Sequence, residues 1–136
     1  MKFISIVSPT FNEEENIEKF CIDVKNQMSK ISCDYEHIII DNCSDDQTTK
    51  IVKKLIIDDK KLKLIINNKN YGHLRSPVHG ILQSKGEATI LINSDFQDPP
   101  ELIGQLVTKW NLGKKIVLLQ KKNSEEKKMY FFFRKL

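Results

Sequence analysis

The chain has 136 residues, of which 40% are hydrophobic and 29% charged, a length and composition that suit one globular domain with a core of its own. Its 22 Lys and Arg exceed its 18 Asp and Glu by a net charge of +4, and because the Lys are scattered among acidic residues rather than gathered in a stripe, nucleic acid is excluded as the expected partner. Cys21, Cys33 and Cys43 are odd in number and form no close pair, which excludes a disulfide framework or a zinc site and fits a reduced, cytoplasmic setting.

Residues 3–8 are a compact apolar run ending at Pro9 and predict a buried strand. No charged region with a long apolar stretch behind it opens the chain, so no signal peptide is expected. Nothing approaches the roughly 18 consecutive apolar residues of a spanning helix. Asn12 with Glu15 three residues on has the spacing of a capping box, and Ile17, Phe20, Cys21, Val24 and Met28 recur at helical intervals behind it. Residues 35–40 predict a second strand, apolar on both faces as a central parallel strand is. Ser44 with Gln47 repeats the capping signature before a helix marked by Ile51, Val52, Leu55 and Ile56. Leu62–Ile66 is the third strand. Ser76 and Pro77 read as N-cap and first residue of a third helix, with Val78, Ile81 and Leu82 facing inward and Gly86 closing it. Residues 88–92 are the fourth strand. Asp98, Pro99 and Glu101 start a helix whose apolar stripe is Leu102, Ile103, Leu106, Val107 and Trp110, with Gly113 at its end. Residues 116–119 predict a fifth strand. The alternation implies an α/β fold with an open, mostly parallel sheet, helices on both faces and right-handed crossovers.

Ligands of open α/β sheets bind outside the carboxyl ends of the strands, and there the polar residues collect. Residues 9–13 follow the first strand, 41–46 the second, 70–73 the third and 93–98 the fourth. Capping alone accounts for Asn12, Ser44 and Asp98, a turn for Gly72, and the helix dipole for Asp45 and Asp46. His37 and His79 read as core or surface residues, while His73, beside Gly72 in a rim loop, is left open. Asp41 and Asp95 are harder to dismiss, because each is a carboxylate directly after a buried strand, a costly place for an unpaired charge.

In order and spacing, SPTFNEEENI, IIIDNCSDDQT, KNYGH and LINSDFQDPPELI resemble the family-two inverting glycosyltransferases of GT-A fold. DFQDPPE, residues 95–101, resembles the dolichol- and polyprenyl-phosphate sugar transferase branch in particular. The resemblance covers residues 3–119. It implies that Pro9, Thr10, Phe11, Asn12 and Glu13 surround the nucleotide of a UDP- or GDP-sugar together with Asn70 and Gly72, and that Asp41 hydrogen-bonds the base. It also implies that Asn93, Asp95 and Gln97 hold Mg²⁺ or Mn²⁺ on the diphosphate, with Asp95 the catalytic carboxylate. The expected acceptor is a polyprenyl phosphate or a saccharide. Location is expected to be cytoplasmic, with peripheral contact at the cytoplasmic face of a membrane.

Two positions depart from the family pattern. Asn93 stands where an Asp is usual, and Asn42-Cys43 replaces the usual Asp-Gly, which bears on the backbone of that loop. Relative to the family the sequence reads as one donor-binding unit over residues 1–136, incomplete at its C-terminal side. A catalytically inactive nucleotide-binding or assembly module with the same fold is the alternative. A phospho-receiver domain would need an acidic pair after the first strand, and a dinucleotide-binding domain a G-x-G-x-x-G there; neither is present. Residues 129–133, four of them aromatic and flanked by Lys and Arg, suggest either an uncovered core element or a membrane-surface contact.

Overall fold

The computed structural model describes residues 2–120; the basic segment 121–128 and the aromatic run 129–133 lie outside the described residues. Four parallel strands, β1 (Phe3–Thr10), β2 (Asp34–Asp41), β3 (Leu62–Ile66) and β4 (Ala88–Leu91), form one sheet in the order β3-β2-β1-β4. Between and after them come the helices α1 (Ile17–Met28), α2 (Thr48–Asp58), α3 (Gly72–Leu82) and α4 (Ile103–Asn111), the last entered through a 3₁₀ turn at Pro100–Leu102. The expected parallel α/β sheet is therefore present, with its direction of winding reversing between β1 and β4.

One face of the sheet carries the main core. Ile4, Ile6 and Ile39 meet Ile17, Phe20 and Val24 of α1, Val52 of α2, and Ile103 and Val107 of α4, all fully or nearly fully buried. The other face presents Val7, Ile38 and Ile40, and α3 packs on it. A Cβ at Gly80 would lie 2.6 Å from Val7 Cγ1, so the helix approaches the sheet too closely for a side chain at that position. Its buried residues are correspondingly small: Ser76, Pro77 and Gly80.

That close approach overturns one expectation: Val78, Ile81 and Leu82 do not face inward but are exposed at 53%, 39% and 75%. Helix starts differ too. α3 begins four residues before Ser76, leaving Pro77 inside the helix. Asn12 caps nothing, because α1 starts at Ile17 behind Asn16. Ser44 and Asp98 likewise stand outside their helices, which follow Gln47 and, for the 3₁₀ turn, Pro99. Asn12 and Ser44 instead make contacts between the β1 and β2 loops, and Asp98 accepts from Asn93 within its own loop. Gly86 does not close α3, which ends at Leu82; it allows close contact with β1, since a Cβ there would sit 2.4 Å from the Ser5 amide nitrogen. Gly113, at φ +87°, does end α4, its N–H bonding the Trp110 carbonyl at 2.8 Å.

The fifth strand is absent among the described residues. Residues 116–119 are irregular, with Ile116 and Leu118 exposed at 81% and 86%. An apolar stretch becomes a buried parallel strand only when both its faces are covered, and no described element covers this one. It borders a groove along the edge of β4 that no described strand pairs with.

Buried polar groups on the sheet are satisfied. Glu36 is 2% exposed, and its carboxylate accepts from Ser5 Oγ (2.6 Å), the Lys85 N–H (2.8 Å) and Lys63 Nζ (2.5 Å). Burial pushes this carboxyl up, but the bonds from Lys63, Ser5 and Lys85 outweigh it and hold it below the ordinary range. His37 Nε2 pairs with Ser8 Oγ at 2.9 Å, and burial lowers the imidazole to about 3 against a weaker, opposing pull from Asp59.

Candidate functional site

At the carboxyl ends of the strands lies a cavity of about 410 Å³. It sits where β1 and β4 part toward opposite sides, the place at which open α/β sheets bind ligands. Pro9, Thr10, Phe11 and Glu13 after β1 line it, with Asn42 after β2, Asn70, Gly72, His73, Ser76 and Pro77 around the start of α3, and Asn93, Ser94 and Asp95 after β4. Of the residues singled out in the sequence, Pro9, Thr10, Phe11, Glu13, Asn70, Gly72, Asn93 and Asp95 thus come together. Asn12, Asp41 and Gln97 are not on the wall.

The wall is built by hydrogen bonds between loops. The β1 and β2 loops are joined by five bonds in which one loop's backbone N–H meets the other's side chain. Asn12, Glu13 and Glu14 N–H donate to Ser44 Oγ (2.9 Å), Thr48 Oγ1 (2.9 Å) and Asp46 Oδ2 (3.1 Å). In return Asp45 and Gln47 N–H donate to Asn12 Oδ1 (3.0 Å) and Glu14 Oε2 (2.9 Å). Asp46 is drawn down by bonds from Thr48 and the Glu14 N–H, although burial alone would raise it. Asp41 is fully buried and its carboxylate turns to its own loop, accepting from Ser44 Oγ at 2.5 Å and the Ser44 N–H at 2.9 Å. Across β1 and β4, Thr10 Oγ1 donates to Ser94 Oγ at 3.1 Å, which donates to the Pro9 carbonyl at 3.1 Å.

Asn42 is the hub of the opposite wall. Its amide N–H groups reach Asn70 Oδ1 (2.8 Å) and the Gly72 carbonyl (3.4 Å), while its Oδ1 accepts from the Tyr71 N–H (2.9 Å) and Asn67 Nδ2 (3.3 Å). Asn67 in turn donates to Ser76 Oγ at 2.9 Å. Sequence reasoning placed Asn42 and Ser94 in the rim clusters without giving them a role, and read Ser76 and Pro77 only as a helix start. Strand alternation held a signal for the first: if Asp41 points into one face, its neighbour Asn42 points to the other.

Backbone strain gathers at the same rim. The non-glycine residues with positive φ among those described are Asn12 (51°), Cys43 (68°) and Phe96 (59°), one in each of three rim loops. Such residues persist where surrounding contacts over-determine them, and they cluster at functional sites. Cys43 thus adopts, without glycine, the left-handed backbone that a Gly would take there at no cost. Phe96 is held by Phe20, edge-on at 5.7 Å between centroids, and by Lys19 Nζ 4.9 Å above its ring.

Two oxygens on the wall suit a hard divalent cation. Asp95 Oδ1 accepts from the Gln97 N–H at 3.0 Å, leaving Oδ2 without a partner among the described residues. Asn93 Nδ2 donates to Asp98 Oδ2 at 3.4 Å, leaving its Oδ1 likewise. A carboxylate and a carboxamide are oxygen ligands of the right kind for Mg²⁺ or Mn²⁺. No group of three or more His, Cys, Asp or Glu that could hold a metal occurs among the described residues. The residues therefore fit an ion that takes its remaining ligands from a bound phosphate and water.

The same arrangement of sheet and helices recurs in a mannosyltransferase from Pyrobaculum calidifontis solved in complex with GDP-Man and Mn²⁺. That structure superposes with a TM-score of 0.68 at 21% identity over 84% of this chain and 33% of its own. The fold is thus the GT-A fold. Residues 5–134 match the family model for glycosyl transferase family 2, and the chain belongs to that family. It is 35% identical to a prophage bactoprenol glucosyl transferase homolog of Escherichia coli, over 85% of this chain and 38% of the relative. To an undecaprenyl-phosphate 4-deoxy-4-formamido-L-arabinose transferase of Aeromonas hydrophila it is 31% identical, over 86% and 36%. The chain spans a little over a third of the length of the curated relatives it matches.

Proposed function

We propose that the rim cavity binds a nucleoside diphosphate sugar together with Mg²⁺ or Mn²⁺. On this reading the chain is the donor-binding part of a transferase that moves the sugar, with inversion, to a polyprenyl phosphate at the cytoplasmic face of a membrane. The observation that carries the reading is that Asn93 and Asp95 each offer an unengaged oxygen on the wall that also holds Pro9, Thr10, Phe11 and Asn70. The relatives' names, a bactoprenol and an undecaprenyl-phosphate transferase, support the acceptor, and the GDP-Man and Mn²⁺ bound to the structural neighbour support the donor and the ion.

Each wall has a task in that reading. The joined β1 and β2 loops hold the nucleoside end. Asn42 fixes Asn70 and the start of α3, whose first N–H groups and dipole favour an anion. Thr10 and Ser94 keep the β1 rim at a set distance from Asn93 and Asp95. A divalent ion bound there supplies Lewis-acid stabilisation of the charge that grows on the departing diphosphate. No general base is needed on this chain, because a phosphate monoester with a second pKa near ~6 already carries the attacking charge at neutral pH.

Calorimetric titration of UDP and GDP with and without Mn²⁺ tests the binding step. Mn²⁺-dependent binding of one nucleotide, largely lost in Asp95→Asn, is the expected result. Binding of neither nucleotide, or affinity indifferent to both Mn²⁺ and Asp95→Asn, would end the reading. The catalytically inactive module is favoured by Asn93, whose carboxamide brings one charge fewer to the ion. Nucleotide binding without sugar transfer to a short-chain polyprenyl phosphate would select that module.

A further inference from the structure

The outward side of α3 carries Leu74, Val78, Ile81 and Leu82, exposed at 72%, 53%, 39% and 75%. Positions i, i+4, i+7 and i+8 share one side of a helix, so these four make a continuous apolar stripe. No described element covers it. The helix is fully determined from beneath, by Ser76, Pro77 and Gly80 against the sheet, so the stripe is not needed to hold it in place.

Charge around the stripe is one-sided. Residues 67–86 contain Lys69, Arg75 and Lys85, together with His73 and His79, and no Asp or Glu, although the whole chain has 18 carboxylates. Lys69, Arg75 and Lys85 have no ion-pair partner among the described residues, so nothing there offsets the charge that the missing carboxylates leave uncompensated. Arg75 lies next to Leu82 around the helix, on one border of the stripe. At the start of the helix Tyr71 is 38% exposed, with Lys69 Nζ 5.2 Å from its ring centroid, a pairing of amphipathic ring and cation that suits a membrane–water boundary.

We propose that this side of α3 is a docking surface for an anionic lipid bilayer. An apolar stripe bordered by unpaired cations gains from apolar burial and from attraction to anionic headgroups at once. A protein partner of matching shape would need carboxylates of its own, placed opposite Lys69, Arg75 and Lys85, which lie before, within and beyond the helix. A bilayer supplies them without a fixed geometry. The helix that carries the surface starts at the cavity wall, since Gly72 and His73 belong to both helix and wall. Its meaning for catalysis, bringing a lipid-borne phosphate to the site, rests on the function proposed above; the docking itself does not.

The test uses the full chain with Trp110→Phe, so that a single new Trp reports position. Leu74→Trp places it on the stripe, and Ile57→Trp places it on the exposed side of α2, across the sheet. Vesicles of equal parts phosphatidylglycerol and brominated phosphatidylcholine should quench Trp at position 74 and not at 57. Partition should fall by at least about tenfold in Leu74→Gln/Val78→Gln/Leu82→Gln, and again at high salt. Calorimetry on the triple variant should give unchanged nucleotide affinity, which separates failure of the docking from failure of the cavity assignment. Vesicle binding without quenching at 74 would place the contact elsewhere, for example at residues 127–135, and overturn the proposal. Absence of vesicle binding would do the same. So would a doubling of mass by light scattering that the triple variant abolishes, because a second copy would then be the occupant.

Discussion

His37 makes the fold acid-labile well above the range in which carboxylates titrate. Its imidazole is fully buried beside Ser8 and Phe20, and burial lowers it from 6.5 to about 3. Above pH 6.5 neither folded nor unfolded chain holds a proton on it, and the full stability is present. As pH falls through 6.5 toward 3 the unfolded chain takes up a proton that the folded chain refuses. Stability then drops with a slope of up to about 1.4 kcal/mol per pH unit. Between pH 7.5 and 5 this one group removes about 2 kcal/mol, a large fraction of the roughly 5–15 kcal/mol of an ordinary domain. The perturbation is His37→Gln, whose amide can still bond Ser8 Oγ but does not titrate. Urea unfolding of both proteins at pH 7.5, 6 and 5 reads the difference. The variant starts less stable, yet it should lose about 2 kcal/mol less over that interval. Parallel losses in the two proteins would refute the reasoning, because His37 would then bind protons equally in both states.

The remaining predictions follow from single contacts. Glu36→Ala leaves Lys63 without its carboxylate and the Lys85 N–H with only its longer bond to Ser5 Oγ (3.1 Å), and should cost about 2–4 kcal/mol in urea unfolding. Gly80→Ala forces a methyl within 2.6 Å of Val7 and should destabilise by about 1–3 kcal/mol, whereas Gly104→Ala, with open space around it in α4, should stabilise by up to about 1 kcal/mol; differential scanning calorimetry compares them. Cys43→Gly relieves a positive φ at an exposed side chain and should raise stability by about 1 kcal/mol in thermal melts. Asn42→Ala removes the bonds that fix Asn70, Tyr71 and Gly72, and nucleotide affinity measured by calorimetry should fall about tenfold.

The first four strands were legible because apolar runs such as 38–40 leave few alternatives for a segment buried on both faces, whereas the run 116–119 has no described element to cover it. The clustering of polar residues at one rim followed from the alternation itself. Helix starts were not legible. Asn12, Ser44 and Asp98 have the right side chains for caps, but the same oxygens serve equally well across a loop, and only the fold decides between partners. Asn12 bonds the Asp45 N–H, and Ser44 bonds Asp41. The orientation of α3 was misread for a related reason. Periodicity places Val78, Ile81 and Leu82 on one side of a helix, and apolar residues ordinarily turn inward. Here the inward side had to be made of Ser76, Pro77 and Gly80, because the helix lies almost on the strands. Asp41, marked in the sequence as a costly unpaired carboxylate, has its charge met by Ser44 two hydrogen bonds deep within its own loop.

The five bonds between the β1 and β2 loops have a kinetic side. Each joins residues 32 to 35 apart in sequence, and each loop supplies both donors and acceptors to the other. When one loop opens, amides of the other lose their acceptors, and Asn12 loses the side-chain and backbone bonds that accompany its left-handed backbone. The rim therefore opens and closes as one cooperative unit rather than as two frayed ends. The amides of Asn12, Glu13, Glu14, Asp45 and Gln47 share a single opening event, and a ligand that braces either loop slows exchange in both.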